Sequence, residues 1–341
     1  MKRTVAILGA TGLVGRTMLR LLETRGFPCD APRLLASGRS SDRTLAFRGR
    51  ELPVAPADER SFDGIDLVLF ATANAVSERW APVARAAGAR VVDNSSAFRY
   101  QDEIPLVVPE VNGALLDAGP ALVANPNCST IAIVVALAPL ALAAGLESVE
   151  VATYQSVSGA GSEAVEELER GIRAGLDGAP PRRSDGGPSF AFNVIPQIDR
   201  FESNGYSREE MKVVWETRKI LALPALPVNC TAVRVPVRVG HAAAVTAVLG
   251  RALTPDEARA LWAAFPGTVV VDEPLAGRFP MPLDAAGHDE VFVGRARTAL
   301  THPRGLSFFV TSDNLRKGAA TNAVQIAERL AGHTAGAGVA R

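Results

Sequence analysis

The sequence predicts an α/β protein in two parts: a doubly wound domain around a parallel sheet, then an α+β domain with a largely antiparallel sheet. Two observations predict this division. In the first third, short and almost continuously apolar segments alternate with helical segments, which is typical of a parallel sheet covered on both faces. After residue 128, apolar and polar residues alternate at period two, as in strands that bury only one face.

The first domain is expected to contain short buried strands separated by helices. The strands are predicted at residues 4–8, 33–36, 67–70, 90–92 and 121–124, and the helices at 13–25 and 76–87. A later helix, at 314–330, carries an apolar stripe that needs a surface to cover, formed by Ala319, Ala323, Ile326, Ala327 and Leu330. We therefore expect this helix to pack back on the first domain.

The second domain is expected to be built from alternating strands. They are predicted at residues 147–154, 230–239, 241–249 and 290–299. A further strand is predicted at 306–310, and the Gly- and Pro-rich segment 175–189 is interpreted as an exposed surface loop. The expected boundaries are 1–127 plus 313–335 for the first domain, 128–312 for the second, and 336–341 for a flexible tail.

Length and composition favour a cytoplasmic protein that acts on small molecules. A chain of 341 residues favours two domains. Its 36 basic and 36 acidic residues balance, so no overall charge attracts it to nucleic acid or to an anionic membrane. The early apolar run, residues 5–8, is too short for a signal peptide or a membrane span. Cys29, Cys128 and Cys230 suggest neither a disulfide framework nor a metal site, so we expect reduced thiols and no metal.

A glycine-rich turn between the first strand and the first helix predicts a dinucleotide site. Residues 9–15 read GATGLVG, and backbone N–H groups with a helix N-terminus can hold a pyrophosphate there. The spacing GxxGxxG differs from the usual GxGxxG, so a plain glycine-rich turn is the alternative. The strand and helix on either side favour a Rossmann-type dinucleotide-binding domain.

The end of the second strand favours NADP over NAD. An NAD site normally carries an acidic residue there, whereas residues 36–40 of this chain read ASGRS. Arg39 can pair with a 2′-phosphate, and Ser37 and Ser40 can donate hydrogen bonds to it. A solvated arginine in a turn is the alternative.

Cys128 is the candidate nucleophile. It follows Asn127, a good N-cap residue, at the start of a long apolar helix. A helix N-terminus can lower a thiol pKa below its free value of about 8.5 and can stabilise an oxyanion through its N–H groups. Inert packing is the alternative for a lone cysteine.

His241 is the candidate partner of this thiol. It follows Gly240 and the alternating segment 233–239, a position suited to proton transfer at a strand end. Without Cys128, a hydrogen-bonded structural role would be the better interpretation.

Blocks of residues along most of the chain resemble the aspartate-β-semialdehyde dehydrogenase family, from residue 5 to about 330. The matching blocks are GATGLVG at 9–15, NSSAFR at 94–99, PLVVPEVN at 105–112, NPNCST at 125–130, YQSVSGAG at 154–161, FNVIPQID at 192–199, ETRKI at 216–220, RVPVRVGH at 234–241 and DNLRKGAA at 313–320. Together they are very specific.

The resemblance implies an NADPH-dependent oxidoreductase of amino-acid biosynthesis. It would reduce L-aspartyl 4-phosphate to L-aspartate 4-semialdehyde, with release of phosphate, through a thioester on Cys128. This reaction leads toward lysine, by way of diaminopimelate, and toward methionine, threonine and isoleucine. The resemblance also implies a homodimer, with the second domain supplying the contact.

The resemblance further implies roles for individual residues. His241 would be the acid/base and Gln155 would position the acyl group. The substrate would be bound by Arg234 at its α-carboxylate, by Glu216 at its ammonium, and by Arg99 and Lys219 at the departing phosphate. The implied cofactor contacts are Gly9, Thr11, Gly12, Leu13, Val14, Arg39, Ser40, Ser158, Gly159 and Asn314. Taken by themselves, Glu216 and Lys219 fit a helix-face ion pair equally well, and stacking on Phe98 is the alternative for Arg99.

Two other functions are compatible with parts of this pattern. N-acetyl-γ-glutamyl-phosphate reductase runs the same thioester chemistry on a longer substrate, but Glu216 with Lys219 and the GHAAAV segment at 240–245 fit it less well. A non-catalytic paralogue that binds NADP and a partner protein is the alternative from another class. Retention of Cys128, Gln155, Arg234 and His241 argues against it.

Overall fold

The computed structural model describes residues 2–38 and 43–332. The chain forms two compact units, Met1–Pro126 with Ala319–Arg341 and Asn127–Gly318. The expected cofactor residues Arg39 and Ser40, and the expected tail at 336–341, lie outside the described residues.

The described residues form the following elements. The strands are β1 Val5–Leu8, β2 Arg33–Ala36, β3 Thr44–Phe47, β4 Arg50–Pro56, β5 Leu67–Phe70, β6 Arg90–Asp93, β7 Leu122–Ala124, β8 Leu146–Gln155, β9 Val228–Arg234, β10 His241–Leu249, β11 Thr268–Val270, β12 Val291–Thr298 and β13 Gly305–Ser312. The α-helices are α1 Leu13–Thr24, α2 Asn74–Ala86, α3 Pro109–Asn112, α4 Cys128–Ala144, α5 Ser162–Leu176, α6 Arg208–Ile220, α7 Pro255–Ala264, α8 Pro282–Ala285 and α9 Thr321–Leu330.

The first unit is built on a seven-stranded sheet with the order β3-β4-β2-β1-β5-β6-β7. Its strands run parallel except at the edge, where β3 and β4 form an antiparallel hairpin. The doubly wound parallel sheet is thus confirmed. The edge hairpin was not predicted, although its turn residues Arg48 and Gly49 both have the positive φ that two-residue hairpin turns need.

The last helix covers one face of the first sheet, as expected from its apolar stripe. Ile326 and Leu330 of α9 join Met18 and Leu22 of α1 and Ile7 of β1 in one buried cluster. The α-helix begins later than predicted, at Thr321, because residues Arg316–Ala320 form a π-helical turn. Such turns are rare and are often found at functional sites.

The second unit contains a six-stranded mixed sheet with the order β11-β12-β13-β10-β8-β9. The pairs β12–β13, β13–β10 and β10–β8 are antiparallel, whereas β11–β12 and β8–β9 are parallel. The strand predicted at 230–239 is wrong in its second half, since β9 ends at Arg234. Beyond it, the carbonyls of Val237 and Arg238 accept hydrogen bonds from Val157 and Ser158 instead of extending the ladder.

Helix α4 forms the core of the second unit and positions Cys128 at its first residue. After Ser129 and Thr130 it is apolar on all sides, and its residues are buried up to Leu140, as expected for a helix in a protein core. The indole nitrogen of Trp262 in α7 donates to the Ala136 carbonyl at 2.8 Å, and its ring packs on Phe308. Throughout residues 2–38 and 43–332, no helix is both long enough and apolar enough to cross a membrane.

Candidate active site

Three of the expected site residues meet at one edge of the second sheet. Gln155 and Arg234 are register partners at the carboxyl ends of the parallel strands β8 and β9. His241 is the first residue of β10, which runs antiparallel to β8 with Ala242 opposite Tyr154. Strand register alone therefore brings Gln155, Arg234 and His241 together, although their segments are far apart in sequence.

Cys128 lies at the N-terminus of α4, where Asn127 caps the helix. The Asn127 side-chain oxygen accepts hydrogen bonds from the Ser129 and Thr130 amides, at 3.0 and 3.2 Å. Cys128 is half-buried and interacts electrostatically with Arg234. By contrast, Cys29 and Cys230 are buried, and burial raises the pKa of both thiols. Cys128 is the cysteine with both access and a charged neighbour.

Glu209 of α6 joins these residues into one buried cluster. Its Oε1 accepts hydrogen bonds from Asn127 Nδ2 at 2.8 Å and from Gln155 Nε2 at 3.2 Å. Its other oxygen accepts from Lys212 Nζ at 3.0 Å. Burial opposes ionisation of Glu209, but the Lys212 charge and the hydrogen bonds outweigh it and lower the pKa of this carboxyl. The cluster thus contains a stable carboxylate next to Arg234.

His241 is almost completely buried and is held through one ring nitrogen. Its Nδ1 lies 3.0 Å from the amide nitrogen of Ser156 and 3.1 Å from the Ser156 hydroxyl. Its Nε2 has no hydrogen-bond partner among the described residues. Burial, with the nearby Arg234 charge as the second cause, lowers the pKa of His241 to about 3. The imidazole is therefore neutral at physiological pH.

Arg234 is also buried and is oriented by the main chain. Its Nη1 donates to the Ser156 carbonyl at 2.7 Å. Burial is the largest influence on Arg234 and lowers its pKa, yet an arginine keeps its charge at neutral pH. A fixed cation with spare N–H donors suits a carboxylate ligand.

Glu216 of α6 contacts the backbone at the start of α4. Its Oε2 accepts a hydrogen bond from the Asn127 amide at 2.6 Å, and the side chain has no exposed surface. The carboxylate that contacts Gln155 belongs to Glu209. Glu209 and Lys212 have the same E-x-x-K spacing as Glu216 and Lys219, and they lie seven residues, about two helical turns, earlier in the chain. Glu209 is thus the α6 carboxylate in contact with Gln155, and the substrate contact expected of Glu216 stays a prediction.

Lys212 and Ser156 also contact residues of this cluster and were not predicted from the sequence. Lys212 forms ion pairs with Glu209 and Asp199, each at 3.0 Å. The sequence did contain a signal for Glu209 and Lys212, because they are three residues apart, as are Glu216 and Lys219. Ser156 offered no such signal, since it acts mainly through backbone groups.

The first unit contains a cavity of about 450 Å³ at the carboxyl ends of β1, β2 and β5. Thr11, Gly12, Ala36 and Ser37 line it together with Thr72. No side chain among the described residues caps α1, which begins with Leu13 and Val14 and has no acidic residue in its first turn. Its free N–H groups fit an anionic ligand such as a pyrophosphate.

Two glycines allow this turn to pack closely against neighbouring backbone. A Cβ at Gly9, which has a φ of +87°, would lie 2.3 Å from the Ala71 carbonyl oxygen. A Cβ at Gly15 would lie 2.2 Å from the Gly9 oxygen. Both positions therefore require glycine, which favours the dinucleotide-binding interpretation over a plain turn.

The remaining expected residues are distributed over both units. In the first unit, Arg99 is buried and donates to the Asn94 carbonyl at 2.7 Å. In the second, Ser158 and Asn314 share a buried hydrogen-bond network with Ser156. Gly159 is exposed and directly adjoins Arg234 and His241. No cluster of potential metal ligands occurs in the part of the chain that the structure describes.

One unit has a dinucleotide-binding fold, and in the other an accessible cysteine interacts with a buried arginine that lies close to a buried glutamine and histidine. This combination defines the class of the protein as an oxidoreductase. The semialdehyde dehydrogenase NAD-binding domain model matches residues 4–118, and the semialdehyde dehydrogenase dimerisation domain model matches residues 137–317. The chain belongs to the semialdehyde dehydrogenase family.

Individual relatives agree with this family. The chain is 52% identical over 331 residues to an aspartate-semialdehyde dehydrogenase of Legionella pneumophila, covering 96% of this chain and 95% of that protein. It is 46% identical to the Bacillus subtilis enzyme of the same name, covering 96% of each. The crystal structure of Vibrio cholerae aspartate semialdehyde dehydrogenase II, complexed with ASA, matches with a TM-score of 0.94 at 45% identity, covering 97% of this chain and 98% of that one.

Proposed function

We propose that this protein is an NADP-dependent aspartate-semialdehyde dehydrogenase. It converts L-aspartyl 4-phosphate and NADPH to L-aspartate 4-semialdehyde, phosphate and NADP. The single observation that carries this proposal is Cys128 at a capped helix N-terminus, within the charged cluster of Arg234 and Glu209. The relatives named above support the choice of substrate.

The cluster around Cys128 supplies what the substrate needs. Cys128 attacks the acyl carbon and forms a thioester as phosphate departs. Gln155 positions the acyl group, and His241 has the acid/base role. Arg234 binds the α-carboxylate, and Glu209 binds the ammonium.

Two cations are assigned to the phosphate. Arg99 keeps the role that the resemblance gives it. We assign the second role to Lys212 in place of Lys219, because the Lys212 ammonium forms an ion pair with Glu209, the residue proposed to bind the substrate.

The cofactor site lies in the first domain, residues 1–127 plus 313–335 in our proposal, while residues 128–312 form the catalytic and dimerisation domain. Gly9, Thr11, Gly12, Leu13 and Val14 bind the phosphates of NADP through the turn and the free start of α1. Arg39 and Ser40 are proposed to read the 2′-phosphate, and Ser158, Gly159 and Asn314 to lie toward the nicotinamide. When bound, NADPH supplies the hydride that reduces the thioester carbon.

We further propose a cytoplasmic homodimer. A reduced catalytic thiol fits the cytoplasm. The second unit matches a dimerisation domain, and its sheet exposes Tyr154, which packs on Phe309 with ring centroids 6.1 Å apart. Phe309→Glu should yield monomers in sedimentation velocity while wild-type protein sediments as a dimer. A wild-type monomer, or an unchanged dimer in the variant, would rule out this surface.

The reverse reaction tests the enzymatic proposal. Purified protein with aspartate semialdehyde, phosphate and NADP should produce NADPH, and Cys128→Ala should produce none. The N-acetylglutamate semialdehyde should give no turnover. Turnover with the acetylated compound would favour N-acetyl-γ-glutamyl-phosphate reductase, and silence with both would favour a non-catalytic protein.

A further inference from the structure

Three asparagine side chains of the first unit form a continuous chain of hydrogen bonds, which we call the asparagine row. Asn322 of α9 donates from its Nδ2 to Asn125 Oδ1 at 2.7 Å. Asn125 Nδ2 donates in turn to Asn94 Oδ1 at 2.7 Å. Asn94, which directly follows β6, donates from its own Nδ2 to the Phe70 carbonyl at 2.6 Å. Asn125 and Asn322 are buried, so their amides depend on protein groups for their hydrogen bonds.

Backbone carbonyls determine the orientation of every amide in the row. Asn125 Nδ2 also donates to the Ala319 carbonyl at 3.2 Å, which belongs to the π-helical turn before α9. Asn322 Nδ2 also donates to the Val107 carbonyl at 2.9 Å. The third amide has the contact with the end of β5 given above. Since a carbonyl only accepts, reversing any one amide would bring two acceptors together.

The row ends at the residue that orients Arg99. The Asn94 carbonyl accepts a hydrogen bond from Arg99 Nη2 at 2.7 Å, and Arg99 is buried. The backbone amide of Asn125 donates to the Asp93 carbonyl at 2.7 Å. Asn125 therefore holds the segment before Arg99 at two points, the Asp93 carbonyl through its main chain and the Asn94 side chain through its own side chain.

The orientation of Arg99 matters for the role proposed for it. A guanidinium binds phosphate through a planar array of N–H donors, so a rotation of this plane changes how many donors reach the phosphate oxygens. The Nη2 bond to the Asn94 carbonyl restricts that rotation. A residue that keeps this carbonyl in place should therefore contribute to phosphate affinity.

We propose that Asn125 is a positioning residue for the phosphate, because it holds, through Asn94, the carbonyl that orients Arg99. This inference rests on the proposed function for the role of Arg99. It assigns part of the affinity for phosphate to a buried side chain that acts only through its neighbours.

Asn125→Ala tests this role, because it removes the donor to Asn94 and keeps the backbone amide. In the reverse reaction, KM for phosphate should rise about fivefold, the size of one neutral hydrogen bond. Both kcat and KM for aspartate semialdehyde should stay within about twofold of wild type, because the change concerns phosphate binding alone. Equal KM values for phosphate in wild type and variant would overturn the proposal.

Asn322→Ala is the matched control. Asn322 is buried like Asn125 and also donates to one asparagine and one backbone carbonyl, but its removal leaves the bond between Asn125 and Asn94 in place. Both variants should lower the melting temperature, since each leaves buried polar groups unpaired. Only Asn125→Ala should change KM for phosphate. An equal increase in both variants would show a general loss of stability and refute the positioning role.

A double-mutant cycle tests whether Asn125 acts through Arg99. With Arg99→Ala already present, adding Asn125→Ala should raise KM for phosphate by less than about twofold, because the side chain that it positions is gone. The full increase in both backgrounds would mean that Asn125 acts independently of Arg99, contrary to the proposal.

Asn125 also lies three residues before Cys128, so an effect on the nucleophile has to be separated from one on phosphate. The apparent pKa for alkylation of Cys128 by iodoacetamide should be the same in wild type and Asn125→Ala. A higher alkylation pKa in the variant, together with unchanged phosphate binding, would place the role of Asn125 at the nucleophile and contradict the inference.

Binding of inorganic phosphate tests the inference without turnover. At constant ionic strength and with NADP present, the rise in melting temperature with phosphate concentration gives an apparent Kd. This Kd should be about fivefold weaker in Asn125→Ala and unchanged in Asn322→Ala. No stabilisation of wild type by phosphate would rule the inference out. If phosphate binding follows the expected pattern but aspartate semialdehyde is not turned over, the substrate assignment fails and the positioning role remains.

Discussion

Two glutamates on one face of α6 make different contacts despite their identical spacing to a lysine. Glu209 contacts Gln155 and the Asn127 side chain, whereas Glu216 accepts from the Asn127 backbone. Residues seven apart lie on the same helix face, so periodicity alone cannot choose between them. Which glutamate lies beside Gln155 depends on how α6 packs against the start of α4, and this packing is a tertiary property.

Glu209→Gln should therefore affect mainly activity, and Glu216→Gln mainly stability. We expect Glu209→Gln to lower kcat/KM for aspartate semialdehyde by roughly a hundredfold, because a charged substrate contact is lost. Glu216→Gln should mainly lower the melting temperature, since its buried carboxylate holds the loop before α4. Steady-state kinetics and thermal unfolding of both variants check this. Retained kcat/KM in Glu209→Gln, with a large loss in Glu216→Gln, would reinstate Glu216 as the substrate ligand.

Gly159 is required for space rather than for backbone conformation. It has no positive φ, but an added methyl group would crowd His241 and Arg234. Gly159→Ala should reduce kcat/KM by about tenfold or more, because small displacements of positioned groups are costly in catalysis. Its melting temperature should match that of the neighbouring control Ala160→Ser. Full activity in Gly159→Ala would show that substrate does not approach this space.

Because His241 is buried and neutral, the free energy of unfolding should decrease as the pH falls below about 6.5. The folded-state pKa of His241, about 3, lies below the ordinary histidine value of 6.5, so the unfolded chain binds a proton first as pH falls. Relative to His241→Asn, wild type should lose on the order of 2 kcal/mol of unfolding free energy between pH 6.5 and 4.5. The two should run parallel above about pH 7.5. Urea unfolding measures this, and a constant difference down to pH 4.5 would contradict the burial argument.

At the scale of elements, the start of α4 explains why an asparagine precedes the nucleophile. The Asn127 side-chain Oδ1 caps the helix while its Nδ2 donates to Glu209, so one side chain must both accept and donate. Serine, threonine and aspartate also cap helices, but aspartate has no donor. The sequence predicted the cap and the thiol at the helix start, but not the second contact.

Asn127→Asp should preserve the helix but impair the site. The cap and the favourable helix dipole remain, yet a carboxylate now faces Glu209 Oε1 across the 2.8 Å of the lost hydrogen bond. We expect the alkylation pKa of Cys128 to rise by about one unit and kcat/KM to fall about tenfold. Asn127→Ser, a cap without charge, is the control. Equal behaviour of the two variants would mean that the Glu209 contact is unimportant.

At the scale of the whole molecule, sequence patterns predicted the elements that depend on the burial of their own apolar residues. Apolar runs gave the strands of the first sheet, and the stripe on residues 314–330 correctly placed the last helix on the first domain. The hairpin β3–β4 was missed because its residues are largely polar and exposed at the edge. The strand expected at 230–239 failed because the Ser156–Ala160 turn, distant in sequence, takes its hydrogen bonds after Arg234.

The active site shows the same division. Cys128, Gln155, Arg234 and His241 stand in distinctive sequence blocks, and the structure brings the last three together through strand register. Glu209 and Ser156 act through contacts between distant segments, one of them through main-chain atoms, and main-chain roles leave no residue signature. Such residues become visible only once the fold is known.

The proposed reaction depends on a thioester between the substrate and Cys128. The most direct measurement is the intact mass of the enzyme, followed by peptide mapping, after mixing with L-aspartyl 4-phosphate in the absence of NADPH. We predict one aspartyl group per chain, located on Cys128, with an equal amount of phosphate released and no label in Cys128→Ser. Unmodified enzyme that releases phosphate only with NADPH, or a label on another residue, would contradict the account.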